Sequence, residues 1–140
     1  MKKTPAERLN EILNIQVEEY STPCTITAQK ATKIDELANL MKENSVRHIP
    51  IIDNDDVVGI VSDRDISNLP EGSDAVAALI MSKDVYTTES HALLKDVVFE
   101  MSSKKIGSAM VIDQSDKSLS IFTSVDALNA LNEILGGGNF

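Results

Sequence analysis

Apolar residues recur at helical spacing in several segments of the chain. Spacings of three and four residues predict amphipathic helices over 33–45 and 92–104. The segment 4–7, Thr-Pro-Ala-Glu, has the pattern of a capping box with proline at the first helical position, which predicts an N-terminal helix. Further helices are predicted over 74–81 and 126–135. The stripe positions of the two amphipathic helices are Ile34, Leu37, Ala38, Leu40 and Met41, and Leu93, Leu94, Val97, Val98 and Met101.

The ends of these helices carry residues that favour helix boundaries. Thr32 is the expected N-cap of the first amphipathic helix, and Ser90 or His91 is the expected opening of the second. The glycine run 136–138 is expected to end the last helix and to leave a flexible tail.

Short apolar runs bounded by polar residues predict two pairs of strands. The first pair covers 49–53 and 57–62 and the second covers 109–113 and 119–123, each joined by a polar turn. The opening strand of each pair lacks polar alternation, so it is expected to be buried on both faces. Pro50 has no backbone N–H, so we expect it at the start of its strand or at a sheet edge.

These elements form an internal repeat of strand, helix, strand, strand and helix. Met41 and Met101 lie sixty residues apart, and an offset of sixty also relates Asp53 to Asp113. One extra residue in the second hairpin turn shifts the offset to sixty-one from there on. That offset pairs Ile60 with Ile121, Ser62 with Thr123, and Asp65 with Asp126. Agreement through a helix, two strands and a polar ending indicates two copies of one structural unit.

The segments 46–53 and 59–66 carry a resemblance to a known family. They read Val-Arg-His-Ile-Pro-Ile-Ile-Asp and Gly-Ile-Val-Ser-Asp-Arg-Asp-Ile. With the repeat, they resemble a tandem pair of CBS (cystathionine-beta-synthase) domains over about residues 20–131. The resemblance implies a mixed α/β (α+β) fold, in which two βαββα repeats pack as a pseudo-twofold pair beside an N-terminal helix.

We expect the chain to divide into four parts. An N-terminal helix covers 1–19, and the first CBS repeat covers 20–72. The second repeat covers 73–135, and a flexible tail covers 136–140.

Composition excludes several classes of function. Lys and Arg number 13 against 22 Asp and Glu, a net charge of −9, so a sequence-independent nucleic-acid binder or an anionic-membrane binder is disfavoured. No apolar run reaches the roughly 20 residues of a membrane span, and the start lacks the pattern of a secretory signal. The single cysteine, Cys24, cannot form an internal disulfide. We therefore expect a cytoplasmic protein.

Members of the resembled family bind adenosine-containing ligands in clefts between the two repeats. The resemblance assigns Asp65 and Asp126 to the ribose hydroxyls, since a carboxylate accepts two hydrogen bonds at once. It assigns Ser62 and Thr123 to phosphate, at the start of a helix. The same two pairs are also good helix caps, and this alternative stays open.

The resemblance adds further binding residues. Arg47 and His48 stand where family members often hold a phosphate-contacting cation, whereas the second repeat has an uncharged Gly-Ser pair there. The remaining positions are expected to complete the two clefts. Clefts of the resembled family usually combine the aspartate of one repeat with residues of the other. One cleft is therefore expected to contain Asp65, Thr87 and Ile106, and the other to contain Asp126, Thr25 and Val46.

We interpret the chain as a non-catalytic regulatory module. It is expected to bind an AMP-, ADP- or ATP-like regulatory ligand, without an obligatory cofactor or a metal, and to signal through a partner protein in trans or a change of oligomer. The motif does not choose among adenine nucleotides, S-adenosylmethionine, NAD and cyclic dinucleotides. The alternative is a ligand-free dimerisation or adaptor module, and a homodimer is expected under both readings. The sequence shows no nucleophile paired with a base, no catalytic pair of carboxylates and no set of metal ligands, so we do not expect an enzyme.

Overall fold

The computed structural model describes residues 2–136, and the predicted tail lies outside them from residue 137 onward. Two compact units are present. The central unit is Cys24–Val85, the middle of the sequence. The terminal unit combines the segment that ends at Pro23 with the segment that begins at Tyr86.

The helices and strands of the described residues follow the predicted order. The helices are α1 (Pro5–Leu13), α2 (Ile34–Asn44), α3 (Asp63–Ser67), α4 (Ala77–Ile80), α5 (Leu94–Lys104) and α6 (Ser124–Leu135), with a 3-10 helix at Val17–Tyr20. The strands are β1 (Thr22–Pro23), β2 (Ala28–Gln29), β3 (His48–Asp53), β4 (Asp56–Ser62), β5 (Thr87–Glu89), β6 (Ser108–Ile112) and β7 (Leu119–Thr123). The mixed α/β class and the two repeats are thereby confirmed.

Each unit contains one small mixed sheet. The central unit has the order β2-β3-β4, with β2 parallel and β4 antiparallel to β3. The terminal unit repeats this arrangement as β5-β6-β7 and adds β1 antiparallel to β7. The short strand β1 lies at the start of the first repeat in sequence and yet extends the sheet of the second.

The two hairpin turns differ, as their lengths predict. In the central unit Asn54 and Asp55 form a two-residue turn with φ of 50° and 66°, the left-handed region that such a turn requires. In the terminal unit the longer turn is closed by Asp113, whose carboxylate accepts the backbone N–H of Ser115 at 2.8 Å.

Pro50 departs from the prediction, because it lies inside β3, the middle strand of its sheet. At the corresponding place in the terminal unit, the N–H of Met110 donates to the carbonyl of Tyr86 at 2.8 Å. Proline cannot make that bond. Parallel pairing therefore begins only at Ile51 in the central unit, so β2 is one residue shorter than β5.

The structure confirms some of the predicted helix N-caps and contradicts others. The capping box of α1 is confirmed, because Thr4 Oγ1 accepts the N–H of Glu7 at 3.1 Å. The predicted caps of α2 and α5 are wrong. Their N-caps are Lys33 and Leu93, without a side-chain cap bond, because the preceding polar residues are used in tight turns; Thr32, for example, accepts the N–H of Gln29. The short helix predicted over 74–81 is four residues long.

A separate apolar core holds each unit together. The core of the central unit is formed by Ala28, Leu37, Met41, Ile49, Ile51, Val61 and Ala77. The core of the terminal unit is formed by Ile15, Val17, Leu94, Val97, Met101, Ala109, Val111, Phe122 and Ala130. The N-terminal segment thus contributes two core residues to the unit that holds the second repeat.

Tyr20 ties the same segment to the last helix. Its hydroxyl donates to the carboxylate of Glu133 in α6. Burial and this acidic partner raise the pKa of Tyr20 to about 12.

Candidate functional site

In the central unit, Ser62 and Asp65 lie where β4 runs into α3. Ser62 Oγ accepts the N–H of Asp65 at 3.1 Å, and Asp65 Oδ2 accepts the N–H of Ser62 at 2.8 Å. This reciprocal capping box satisfies two backbone donors at the helix start and fixes the carboxylate beside them. The two residues therefore act as caps whether or not a ligand binds.

In the terminal unit, Thr123 and Asp126 form the same arrangement at the start of α6. Asp126 Oδ2 accepts the N–H of Thr123 at 2.8 Å and its hydroxyl at 3.1 Å, and Thr123 Oγ1 accepts the N–H of Asp126 at 3.4 Å. All four capping residues are half-buried. In both units the capping bonds that the aspartate accepts go to its Oδ2.

Val46, Arg47 and His48 lie beside the capping box of the central unit. The carbonyl of Arg47 accepts the N–H of Asp63 at 2.9 Å, and His48 pairs with Ser62 across the β3–β4 ladder. The N–H of Val46 donates to the carbonyl of Met41, which closes the end of α2. The structure thus brings a cation, a hydroxyl and a carboxylate to one end of the sheet.

The terminal unit repeats this backbone arrangement without the cation. The N–H of Ile106 donates to Met101, and the carbonyl of Gly107 accepts both the N–H of Ser124 at 2.9 Å and its hydroxyl at 3.2 Å. Ser124 stands where the central unit has Asp63. The terminal set therefore has one carboxylate and no cation, whereas the central set combines Arg47 with two carboxylates.

The two predicted threonines lie in the opening segments of the repeats. Thr25 is exposed and precedes β2, and Thr87 is exposed and opens β5, where it pairs with Met110. In residues 2–136 neither threonine hydrogen-bonds to the capping box of its own unit. Within each unit, the capping box therefore lies beside the start of β3 or β6. The threonine of the opening segment does not hydrogen-bond to it.

An open groove of about 720 Å³ lies on the central unit, lined by residues 27–31 and 52–55. Its size falls in the range of ligand pockets. The predicted binding residues do not line it, and the ammonium of Lys30 pairs with Asp53 there at 2.8 Å. The groove and the candidate site are separate places on this unit.

Cys24 is a poor candidate for chemistry. Its side chain is partly buried, and burial raises the pKa of the thiol to about 11. A thiol that stays protonated at neutral pH is a weak nucleophile.

The repeated sequence and the repeated site geometry have a match among known families. The model of the CBS domain matches the chain twice, over residues 17–72 and 76–133. The chain belongs to the CBS domain family. The two matched CBS domains cover most of the sequence, and both contain a capping box.

Curated relatives share the CBS region. An uncharacterized protein of Methanocaldococcus jannaschii, MJ1232, is 26% identical over 124 residues, covering 89% of this chain and 42% of that protein. A homoserine O-acetyltransferase of Methanocorpusculum labreanum is 30% identical over 136 residues, covering 90% of this chain and 28% of that protein. The chain thus spans less than half the length of these relatives.

Solved CBS domain pairs share the fold. The CBS domain pair of protein MJ0100, in complex with 5′-methylthioadenosine and S-adenosyl-L-methionine, has a TM-score of 0.70 and 26% identity. The similarity covers 89% of this chain and 98% of that one. An acetoin utilization protein of Vibrio cholerae (AcuB) has a TM-score of 0.68 and 29% identity, over 89% and 95% of the two chains.

Two further findings bear on function. None of the helices in residues 2–136 has the length and hydropathy that a membrane span requires. Sequence reasoning also missed one cluster of potential metal ligands, Glu18, His91 and Asp113, in the terminal unit. These residues are far apart in the chain, so their spacing carries no signal.

Proposed function

We propose that this chain is a non-catalytic regulatory module that binds an adenosine-containing ligand through the residues around its two capping boxes. Asp65 and Asp126 accept hydrogen bonds from ribose hydroxyls through Oδ1. Ser62 and Thr123, at helix N-termini, receive the phosphate or another polar group of the ligand.

The repetition of the capping-box geometry carries this proposal. Both units hold a half-buried aspartate by the same Oδ2 bonds, so a fixed acceptor occurs twice in one chain. The related CBS pair of MJ0100, at 26% identity, was solved with two adenosine-containing ligands. Regulation through a partner protein or through the oligomer is the expected output, because a ligand shifts a protein by its differential affinity for two states.

Ligand titration of aspartate variants tests the proposal. Calorimetry and thermal unfolding are measured with AMP, ADP, ATP, S-adenosylmethionine and 5′-methylthioadenosine on the wild type, Asp65→Asn and Asp126→Asn. Asparagine keeps one acceptor oxygen for the helix cap but replaces the other with an NH₂ group, which cannot accept hydrogen bonds from the ribose hydroxyls. We expect at least one ligand to bind and to stabilise the wild type by about 2.7 kcal/mol at a hundred times its dissociation constant.

Asp35→Asn is the matched control, because Asp35 is an exposed carboxylate in the first turn of α2 and lies outside both capping boxes. Binding should fall at least tenfold in one of the two capping-box variants and stay unchanged in the control. Equal binding by all four proteins would contradict the assigned residues, and no binding by the wild type would contradict the sensor function.

Because only the central set contains a cation, Arg47, we expect that set to prefer a ligand with a phosphate. Arg47→Ala should weaken AMP binding more than 5′-methylthioadenosine binding, because only AMP carries a phosphate for the guanidinium. Lys42→Ala, a nearby lysine at the end of α2, is the control. An equal loss for both ligands would contradict phosphate contact by Arg47.

A dimerisation or adaptor module is the second candidate. One specific observation favours it, an exposed apolar stripe on α6 at Leu128, Leu131 and Leu135, which are 62%, 48% and 77% exposed. Contiguous exposed leucines at helical spacing are typical of association surfaces. Sedimentation of the wild type and Leu128→Asp tests this. A ligand-independent dimer lost in the variant, with no response to any ligand, favours the adaptor.

A cytoplasmic location remains part of the proposal. The acidic composition and the single, partly buried cysteine support it, since the sequence has neither the paired cysteines of a disulfide framework nor an excess of basic residues.

A further inference from the structure

Three segments of the terminal unit bring metal-ligating side chains together. The ligand atoms of Glu18, His91 and Asp113 all lie within 4.8 Å of one another. His91 Nδ1 lies 3.3 Å from Oε1 of Glu18 and 3.0 Å from Oε1 of Gln16. One imidazole nitrogen and several oxygens therefore face a common point.

Backbone hydrogen bonds hold the three segments in place. The N–H of Glu18 donates to the carbonyl of Ser90 at 3.2 Å, and the N–H of Ser90 donates to the carbonyl of Ile112 at 3.1 Å. Ser90 is only 3% exposed, and its carbonyl and its N–H link the segment of Glu18 to that of Asp113. Because these bonds involve the residues next to His91 and Asp113, the ligands project from a fixed framework rather than from loose loops.

A second layer of hydrogen bonds orients Asp113. Its carboxylate accepts the backbone N–H of Ser115 at 2.8 Å and the hydroxyls of Ser115 and Ser90, the latter at 3.5 Å. Outer bonds of this kind orient ligands in metal sites.

The equivalent place in the central unit contains a lysine ammonium. At the equivalent positions the central unit has Gln29, Lys30 and Ala31, and the Lys30 ammonium pairs with Asp53 at 2.8 Å. The terminal unit replaces them with Glu89, Ser90 and His91. The terminal unit therefore lacks the lysine ammonium at this place and has carboxylates and an imidazole instead. A bound cation would restore the charge balance that lysine supplies in the first copy.

We propose that Glu18, His91 and Asp113 bind one first-row divalent metal ion, for which Zn²⁺ is the best match. An imidazole with two carboxylates suits Zn²⁺, Co²⁺ or Mn²⁺ better than Mg²⁺ or Ca²⁺, which prefer oxygen ligands alone. A tetrahedral Zn²⁺ with ligands at about 2.0–2.2 Å spaces them roughly 3.4 Å apart. His91 and Glu18, at 3.3 Å, already have this spacing, and the more distant ligand atoms lie within 4.8 Å. Gln16 Oε1 or water completes the site.

Metal titration of the untagged, metal-stripped chain tests this site. Zn²⁺ binding is measured by calorimetry and Co²⁺ binding by visible absorption, on the wild type, His91→Gln and Asp113→Asn. We expect one ion per chain, with binding at least tenfold weaker in both variants. In ¹⁵N NMR of the histidine rings, Zn²⁺ should shift the nitrogens of His91 and leave those of His48 unchanged.

Two control variants use the chain's own repeat. His48→Gln removes the other histidine, and Asp53→Asn removes the carboxylate equivalent to Asp113. Both should bind Zn²⁺ within twofold of the wild type. The proposal is overturned if the wild type binds no Zn²⁺, if His91→Gln binds as well as the wild type, or if His48→Gln abolishes binding.

Discussion

At the scale of single residues, the proposed function would join helix capping and ligand recognition in the same aspartates. Asp65 and Asp126 use Oδ2 for the helix start, and under the proposed function Oδ1 accepts from the ligand. The hydroxyls of Ser62 and Thr123 each accept a backbone N–H; the Ser62 hydroxyl can still donate, whereas the Thr123 hydroxyl donates to Asp126 Oδ2. A substitution there therefore changes stability and binding together, and the two effects have to be measured separately.

Thr123→Ala should destabilise the terminal unit by about 1 kcal/mol, because the N-cap of the twelve-residue helix α6 loses its side-chain acceptor. Denaturant unfolding without ligand measures the effect. Thr123→Ser keeps the hydroxyl and should stay close to the wild type. Equal losses in both variants would mean that the methyl group, rather than the cap, supplies the stability.

The Cys24 thiol should react slowly with Ellman's reagent. Since burial raises its pKa to about 11 from an ordinary 9.0, the thiolate fraction near pH 8 is about a hundredfold lower than for a free thiol. The rate is measured on the folded and the urea-unfolded protein. A folded rate within threefold of the unfolded rate contradicts the buried, protonated thiol.

At the scale of elements, the 3-10 helix at Val17–Tyr20 belongs to the repeat that lies farther away in sequence. The N–H of Val17 donates to the carbonyl of Ala92 at 2.8 Å, and the N–H of Leu94 donates to the carbonyl of Ile15 at 2.8 Å. Strand β1 then pairs with β7. The N-terminal segment is thus an integral part of the terminal unit.

Val17→Ala should lower the free energy of unfolding by about 2 kcal/mol, because the valine is fully buried and the variant leaves a cavity. Hydrogen exchange followed by NMR locates the loss, which should affect amides of β6 and β7 more than those of β3 and β4. Val125→Ala, an exposed valine on α6, is the control. Equal loss of protection in both units would contradict the assignment of this helix to the terminal unit.

At the scale of the whole molecule, stability should decrease in alkali. The folded-state pKa of Tyr20 is about 12 against an ordinary 10.0. The folded protein therefore holds this proton more tightly than the unfolded chain does. The resulting stability is complete below about pH 10 and is lost as the pH rises towards 12. The raised pKa of Cys24 stabilises the folded protein in the same way, and this contribution is lost as the pH rises from about 9 to 11.

Urea unfolding of the wild type and Tyr20→Phe at pH 8, 10 and 11 measures this dependence. The variant should be less stable at pH 8 by about 1 kcal/mol, from the lost hydrogen bond to Glu133, and its stability should fall less with pH. Tyr86→Phe replaces the other tyrosine and should retain the slope of the wild type. Equal slopes in wild type and Tyr20→Phe contradict the assignment.

The sequence by itself determined most of the helices and strands, the repeat and the family, but not the 3-10 helix at Val17–Tyr20 or strand β1. Apolar spacing predicts helices and strands because helix and strand periods are local properties of the chain. The capping boxes at Thr4, Ser62 and Thr123 depend on residues three positions apart, so they too are visible in sequence. The helix caps at Lys33 and Leu93 were mispredicted, because competing turns use the nearby polar side chains.

Only the tertiary structure decided which distant segments meet. The place of Pro50 inside β3 depends on where the parallel neighbour begins to pair, and the pairing of β1 with β7 joins residues about a hundred positions apart. The cluster of Glu18, His91 and Asp113 likewise arises from backbone bonds between three remote segments. Such contacts follow from chain topology, which no local spacing of residues encodes.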